Sequence, residues 1–446
     1  MLSRISGGGM NRSIRSAVVS ALAFALAVLV PTAARAVTAT TRRADVSSAG
    51  DEAPNGAIYE SISGNGRFVA FETNSPLVNG DTNGLSDVYV RDLRDRSTVR
   101  VSVRSNGRQA NGASGYAAIS ANGRFVTFMS EATNLIRDDT NGRQDVFVHD
   151  RRTGETTRVS VSTRGRQGNG DSSEASISAS GRFVLFGSDA TNLVRGDTNG
   201  YNDLFLHDRG TGTTVRIDVA SSERQANASP NNAAPGMISN DGRFVVFESS
   251  ATNLVRGDTN AAADVFVRDV ERGRTIRVSV SSQGSQGDAL SRIPSISADG
   301  RFVSFTSSAT NLVRNDGNAA TDIFVRDLSR DRTTRASIRS DGAEANGGSG
   351  YASISADGRF VSFESAATNL VGNDTNGYGD VFVHDRQTGR TRRVSLGRGG
   401  QEGDSESDVA YISPDGRFVA FQSAASNLVG NDTNATVDIF VRGPLR

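Results

Sequence analysis

The sequence predicts an all-β protein: a seven-bladed β-propeller of four-stranded antiparallel blades, closed by an N-terminal strand that completes the last blade. Three observations carry this reading. A Gly-Arg-Phe-Val string recurs seven times, each recurrence sits in a pattern of short strands and turns, and the two chain ends hold complementary parts of one unit.

The recurring string places Phe68, Phe125, Phe183, Phe244, Phe302, Phe360 and Phe418 at spacings of 57, 58, 61, 58, 58 and 58 residues. Units of this length account for residues 37–446, so the prior that 446 residues make two or three domains does not apply. Phenylalanine usage agrees. Of 21 Phe, Phe24 precedes the repeats, and the others fill three slots per unit, with Tyr89 in the one slot left.

Within the second unit, Ala118-Ile119-Ser120 reads as a first strand. Asn122-Gly123 makes a tight turn because both residues tolerate positive φ. Arg124 to Phe128 is a second strand, Asp145 to Asp150 a third, and Thr157 to Val161 a fourth after a turn at Thr153-Gly154. Phe and Val on both faces of the middle strands require cover on both sides, which neighbouring copies supply. Pro230, Asn231 and Asn232 mark the one unit lengthened to 61 residues. No helix is expected after residue 36.

The last unit stops at Asp438-Ile439-Phe440-Val441 and lacks its fourth strand. Thr41-Arg42-Arg43-Ala44-Asp45-Val46 matches the Thr391-Arg392-Arg393-Val394-Ser395-Leu396 segment of the preceding unit. Pairing the two ends leaves no open blade edge and closes a ring rather than an open solenoid.

Ser-x-Asp-Gly-Arg-Phe-Val-x-Phe followed by Asp-Val-Phe-Val-x-Asp resembles the WD40-like (PD40) repeat of TolB-type periplasmic propellers. The clearest copies are Ser297 to Phe305 with Asp322 to Asp327, and Ser413 to Phe421 with Asp438 to Val441. The resemblance covers 38–446 and implies the fold. TolB proper has six blades and an added N-terminal domain, so its envelope role is not carried over.

Residues 1–36 read as a secretory signal peptide and 37–446 as the propeller. Arg4, Arg12 and Arg15 precede a 14-residue apolar run from Ala17 to Val30, and Ala34-Arg35-Ala36 offers a cleavage site. Met10 is an alternative start. The run is shorter than the roughly 20 residues of a membrane span. An exported, secreted, periplasmic or cell-envelope protein is expected. All 49 cationic side chains are arginine, and four of them lie in residues 1–36 without an acid. The remaining 45 face 49 acids, a net charge of −4 that speaks against nucleic-acid binding. Zero cysteine excludes disulfides and thiol chemistry.

Strand alternation brings the longer loops, after strands two and four, to one face; the residue read as following strand two varies between units (Met129, Gly187, Thr306), and a binding site is expected on that face or at the central channel mouth. The loop after strand two carries Asn-Leu-Val-x-x-Asp-Thr-Asn-Gly-x-x-Asp. Calcium candidates here are Asp81, Asn83 and Asp87; Asp139, Asn141 and Asp145; Asp197, Asn199 and Asp203; and Asp374, Asn376 and Asp380. Oxygens at positions 1, 3 and 7 of a glycine-bearing loop resemble the calcium loops of integrin-type propellers. Position 5 departs from that pattern, holding Leu85, Arg143, Tyr201 or Tyr378, while calcium seeks 6–8 oxygens. The competing reading is that Asp and Asn close their own turns.

Arg67 and its six counterparts recur once per unit, as a structural ion pair would. His149, His207 and His384 fill slots that hold Arg91, Arg268 and Arg326 elsewhere and read as surface cations. No Gly-x-Ser-x-Gly elbow is present. Asymmetry is left to acids between units: Glu402, Asp404, Glu406 and Asp408 before the last, Asp171 and Glu174 before the third. The overall reading is a secreted or envelope-associated, non-catalytic, monomeric scaffold binding a protein, peptide or glycan on the long-loop face. A calcium-stabilised propeller is the alternative, and a propeller hydrolase or lyase the third.

Overall fold

The computed structural model describes residues 39–230 and 237–445. The signal-peptide reading of 1–36 and the insertion at Asn231 and Asn232 lie outside the described residues.

Seven antiparallel sheets follow one another as blades. In blade 2 the strands are Ser114–Ile119, Phe125–Ser130, Asp145–Asp150 and Glu155–Arg158, paired in chain order. Six blades are four-stranded. Blade 4 has the last three strands, with Pro230 and Ile238 bridged to Ser249 and Val245 where the inner strand runs elsewhere. The outer strand starts two residues and ends three residues earlier than the sequence suggested. Ser160 leaves the ladder to donate to Asp145 at 2.5 Å, and the chain there turns back, with Val161 bridging Gln167. A single 3-10 turn, Arg398–Gly400, interrupts the strands among the described residues.

The middle strands carry the core. Asp145–Asp150 is buried at every position, and Phe128 stacks on Phe147 at 5.9 Å between ring centroids. Tyr89 takes its expected place, fully buried against Phe71 at 6.1 Å. Each such ring contributes roughly 1.5–3 kcal/mol by leaving water. Blades meet through the first Phe of each string. A Cβ at Gly123 would stand 2.1 Å from the Phe68 ring, so the turn glycine is required by contact as well as by its φ of +69°. Arg67 and Arg151 cover the same ring, 4.8 and 4.3 Å from its centroid.

The ring closes as the chain ends predicted. Thr40–Arg43 pairs with Asp438–Gly443, in the register Thr41 with Arg442 and Arg43 with Phe440. Blade 6 pairs Thr391 with His384 and Arg393 with Phe382, the same geometry within contiguous chain. Contacts between blades repeat too. Thr156 Oγ1 donates to Val103 O, and Thr41 Oγ1 donates to Leu396 O, each at 2.5 Å.

Inner strands line the axis. A ring of seven isoleucines, one per blade from Ile62 to Ile412, borders a cavity of about 110 Å³ at the end where the inner hairpins turn. That end is narrow, and Ser61, Asn240, Ser295 and Ser353 share its lining with the isoleucines.

Candidate functional site

The loops after strands two and four meet on the opposite face. Asn141 Nδ2 donates to Gly168 O at 3.1 Å, and Asn83 to Ala110 O at 3.2 Å. Asn141 Oδ1 accepts from Arg143 N at 3.2 Å, an Asx turn.

The loop acids face an arginine of the outer strand. Arg158 Nη1 lies 3.4 Å from Asp139 and 3.0 Å from Asp145. Arg100 spans Asp81 and Asp87, both at 3.1 Å; Arg216 spans Asp197 and Asp203 at 3.2 and 2.8 Å; Arg393 spans Asp374 and Asp380 at 3.4 and 2.7 Å. Asn199 donates to Asp203 at 2.9 Å and Asn376 to Asp380 at 3.4 Å. Burial raises Asp139, with repulsion from Asp145 adding and Arg158 opposing. Burial likewise carries Asp197 up to about 6. Asp316, Asp322 and Glu344 are grouped closely enough to share an ion. Arg335 Nη1 stands among them, 3.5 Å from Asp316, 3.0 Å from Asp322 and in contact with Glu344.

On the narrow face, Arg124 clamps Asp150 through Nε at 2.8 Å and Nη2 at 2.6 Å, as Arg301 clamps Asp327. Six blades repeat this pair; in blade 7, Gly443 stands at the Asp position. The histidines are a correction: they are buried rather than surface cations. His149 and His384 are lowered to about 4 by desolvation and are therefore neutral at pH 7, each sharing Nδ1 with a threonine hydroxyl at 2.9 Å. Arg91, Arg268 and Arg326 in the same slot are equally buried, because it lies between blades.

The asymmetric acids separate. Glu402 binds Arg393 and Thr375, each at 2.6 Å, and Asp404 accepts from Ser426 N and Oγ at 2.7 Å. Both brace loops. Asp171 accepts from Gln144 N at 3.1 Å. Glu406 and Asp408 instead border a cavity of about 460 Å³ between blades 5, 6 and 7, with Arg292, Tyr351 and Glu364.

This cavity opens at the axial mouth, where the inner strands bulge. Tyr59, Tyr116, Glu174, Ile293, Tyr351 and Val409 all have positive φ there, between 41° and 54°. Tyr59 and Tyr116 stack at 4.1 Å, hydroxyl to hydroxyl at 2.9 Å. The bulged amides are held by the preceding blade: Tyr116 N donates to Glu72 at 2.6 Å, and Ile293 and Val409 N to Glu248 and Glu364 at 3.2 Å. Burial pushes Glu72, Glu174 and Glu364 up to about 7, the backbone hydrogen bonds opposing it at Glu72 and Glu364.

Sequence reasoning named the channel mouth as a place for a site but missed the tyrosines and the buried glutamates that line it. It placed Met129, Gly187 and Thr306 after the second strand, whereas they lie inside it, in the slot of Glu72, Glu248 and Glu364. The signal was present as a second-strand slot whose occupant varies between copies, from Glu72 through Met129, Gly187 and Thr306 to Gln422. The bulge that aims its neighbours had no sequence mark, since Tyr, Glu, Ile and Val all occupy it.

The fold and its loops thus define a closed seven-bladed propeller. No protein-family model and no curated protein sequence matches the chain. Solved structures share the fold. An oligogalacturonate lyase in complex with manganese is 13% identical, covering 91% of this chain and 96% of that one at a TM-score of 0.50. The β-propeller domain of the trilobed protease from Pyrococcus furiosus is 11% identical over 87% and 93%, also at 0.50, and has an open velcro topology, unlike the closed ring here. A putative TolB from Agrobacterium tumefaciens is 16% identical over 79% and 96%, at 0.40. Among the described residues no helix is long and apolar enough to cross a membrane.

Proposed function

We propose that the chain is an exported, non-catalytic binding module whose partner, a protein or peptide segment bearing cationic side chains, seats in the axial mouth of the long-loop face. One observation carries this reading. Side chains repeated in every blade are engaged in internal pairs, while those that break the repetition (Tyr59, Tyr116, Tyr351, Glu174, Glu364, Asp408) gather at the mouth. Tyrosines supply rigid stacking area at small entropic cost, and carboxylates favour a cation. The loop acids Asp81 to Asp87 and their counterparts require no calcium in this reading, since an arginine already stands between each pair and offsets one of its two charges. Melting in calcium and in EDTA should then coincide; a higher melting temperature in calcium would restore the metal.

Binding of an arginine-rich peptide library to the mature protein should weaken at least tenfold in Tyr116→Ala and Tyr351→Ala, with unchanged melting temperature. Retained affinity, or preference for neutral glycans, would reject the cationic partner. A second reading, a hydrolase or lyase, draws on Glu364 held near 7 beside Arg292 in the 460 Å³ cavity. It requires turnover that Glu364→Gln abolishes.

A further inference from the structure

Five blades carry one small polar circuit. A serine after the outer strand accepts from the backbone of the third strand and donates to its first aspartate. In blade 2, Val146 N reaches Ser160 Oγ at 3.1 Å, and Ser160 Oγ donates to Asp145 Oδ1 at 2.5 Å. Ser102, Ser279, Ser337 and Ser395 repeat it.

The closing blade breaks the rule. Its serine position is Asp45, just after the N-terminal strand that completes the ring. Asp45 Oδ1 accepts from Ile439 N at 3.0 Å, as serine would. Asp45 Oδ2 then faces Asp438 with no hydrogen-bond donor, and both residues are fully buried. A hydroxyl always donates; a carboxyl donates only while it holds its proton. Two carboxylates in one dry site cannot both ionise without large cost.

We propose that the ring is latched by a proton: Asp45 holds the seventh blade closed only as the neutral acid, and rising pH releases the N-terminal strand. Every charged neighbour is accounted for. Arg43, on the same strand, lies 3.1 Å from Asp438 and 2.5 Å from both Asp432 and Glu52. Asn434 donates to Asp438 Oδ1 at 2.9 Å. The single charge of Arg43 is thus shared among Asp438, Asp432 and Glu52, leaving Asp45 to be neutralised by hydrogen. Burial raises Asp45 well above the ordinary carboxylate range, Asp438 adds to the rise, and Arg43 opposes it.

The sign follows. The unfolded carboxyl releases its proton near the ordinary value of about 4, the folded one higher. The strand is held most firmly below the lower value and loses hold as pH climbs towards the higher, by at most about tenfold in the closing equilibrium per pH unit. Asp218, the other aspartate at this position, lies within contiguous chain in blade 3 and latches no terminus.

The test compares two outer strands by amide hydrogen exchange, as protection factors between pH 6 and 9. Residues 40–46 should lose protection at least tenfold as pH rises, while 390–396, with Ser395, hold theirs. Asp45→Ser restores the circuit of five other blades and should abolish the pH response of 40–46. Asp45→Asn, which donates without titrating, should do the same, so the test survives if either variant folds poorly. Equal pH responses of the two strands, or a response in either variant matching the wild type, would overturn the latch.

Discussion

Blades 6 and 7 hold the same strands and nearly the same contacts, yet one is made of a single stretch of chain and the other of two ends. Arg393 and Arg43 each bridge a loop aspartate and a strand aspartate, and Thr391 and Thr41 each donate to the carbonyl of the blade before. Apart from Asp45 in place of Ser395 and Gly443 in place of Asp385, what differs is connectivity. His384 and Thr391 are 7 residues apart, whereas Arg442 and Thr41 are 401 apart. Forming the second contact from an open chain costs roughly 3–4 kcal/mol more in loop-closure entropy. Equal contacts therefore give unequal local stability, and the seam is where the ring opens first.

Removing the strand breaks the comparison most strongly. A chain beginning at Asp51 loses the pairing of Thr40–Arg43 and the buried Arg43 among its acids. Leaving buried aspartates uncompensated costs about 3–5 kcal/mol before the exposed blade edge is counted. Melting should fall well below that of a chain beginning at Val37; equal melting would refute the closure. Next come Phe440→Ala and Phe382→Ala, which empty matched, fully buried sites. Each should cost about 3–5 kcal/mol in denaturant titration, and a much smaller loss at Phe440 would show a seam loosely packed in its core. Phe247→Ala, away from the seam, should cost the same.

The last effect is titratable. Glu60 lies 1% exposed between blades 1 and 7, where blades 2, 3 and 6 have Ala117, Ala175 and Ala352. Gln422 donates to it at 2.9 Å, but burial prevails and pushes it up to about 8, with Asp408 adding to the rise. The folded state thus keeps a proton that the unfolded chain releases near the ordinary value. Stability from this group is full below about pH 4 and is lost as pH rises towards 8, by at most about 1.4 kcal/mol per unit. Glu60→Gln should flatten the pH dependence of melting; an unchanged slope would place the titration elsewhere.

The fold was legible because a repeat states its own period. Seven Gly-Arg-Phe-Val strings, three aromatic slots and the match of Thr41–Val46 to Thr391–Leu396 were enough for blade count and closure. The arginine clamps on Asp150 and its counterparts were legible for the same reason. The place of the site was legible as the channel mouth, but most of its residues were not, because they are departures from the repeat. Glu72 and Glu364 matter through a bulge in the next blade, a long-range contact without local pattern. The histidines were misread because an arginine slot looks like surface until both of its walls are in place. Glu402 and Asp404 were grouped with Asp408 because they are neighbours in sequence, whereas loop bracing separates them from it.

Closure itself can be tested covalently. The chain has no cysteine, so Thr41→Cys with Arg442→Cys supplies its only two thiols. These residues are paired across the seam, Arg442 Nη1 lying 2.8 Å from Thr41 Oγ1. Cα atoms of paired strands lie within reach of a disulfide. Mild oxidation of the folded double variant should give an intramolecular disulfide and a higher melting temperature that reductant reverses. Thiols that stay free, or that link only separate molecules, would contradict a ring zipped by its own two ends.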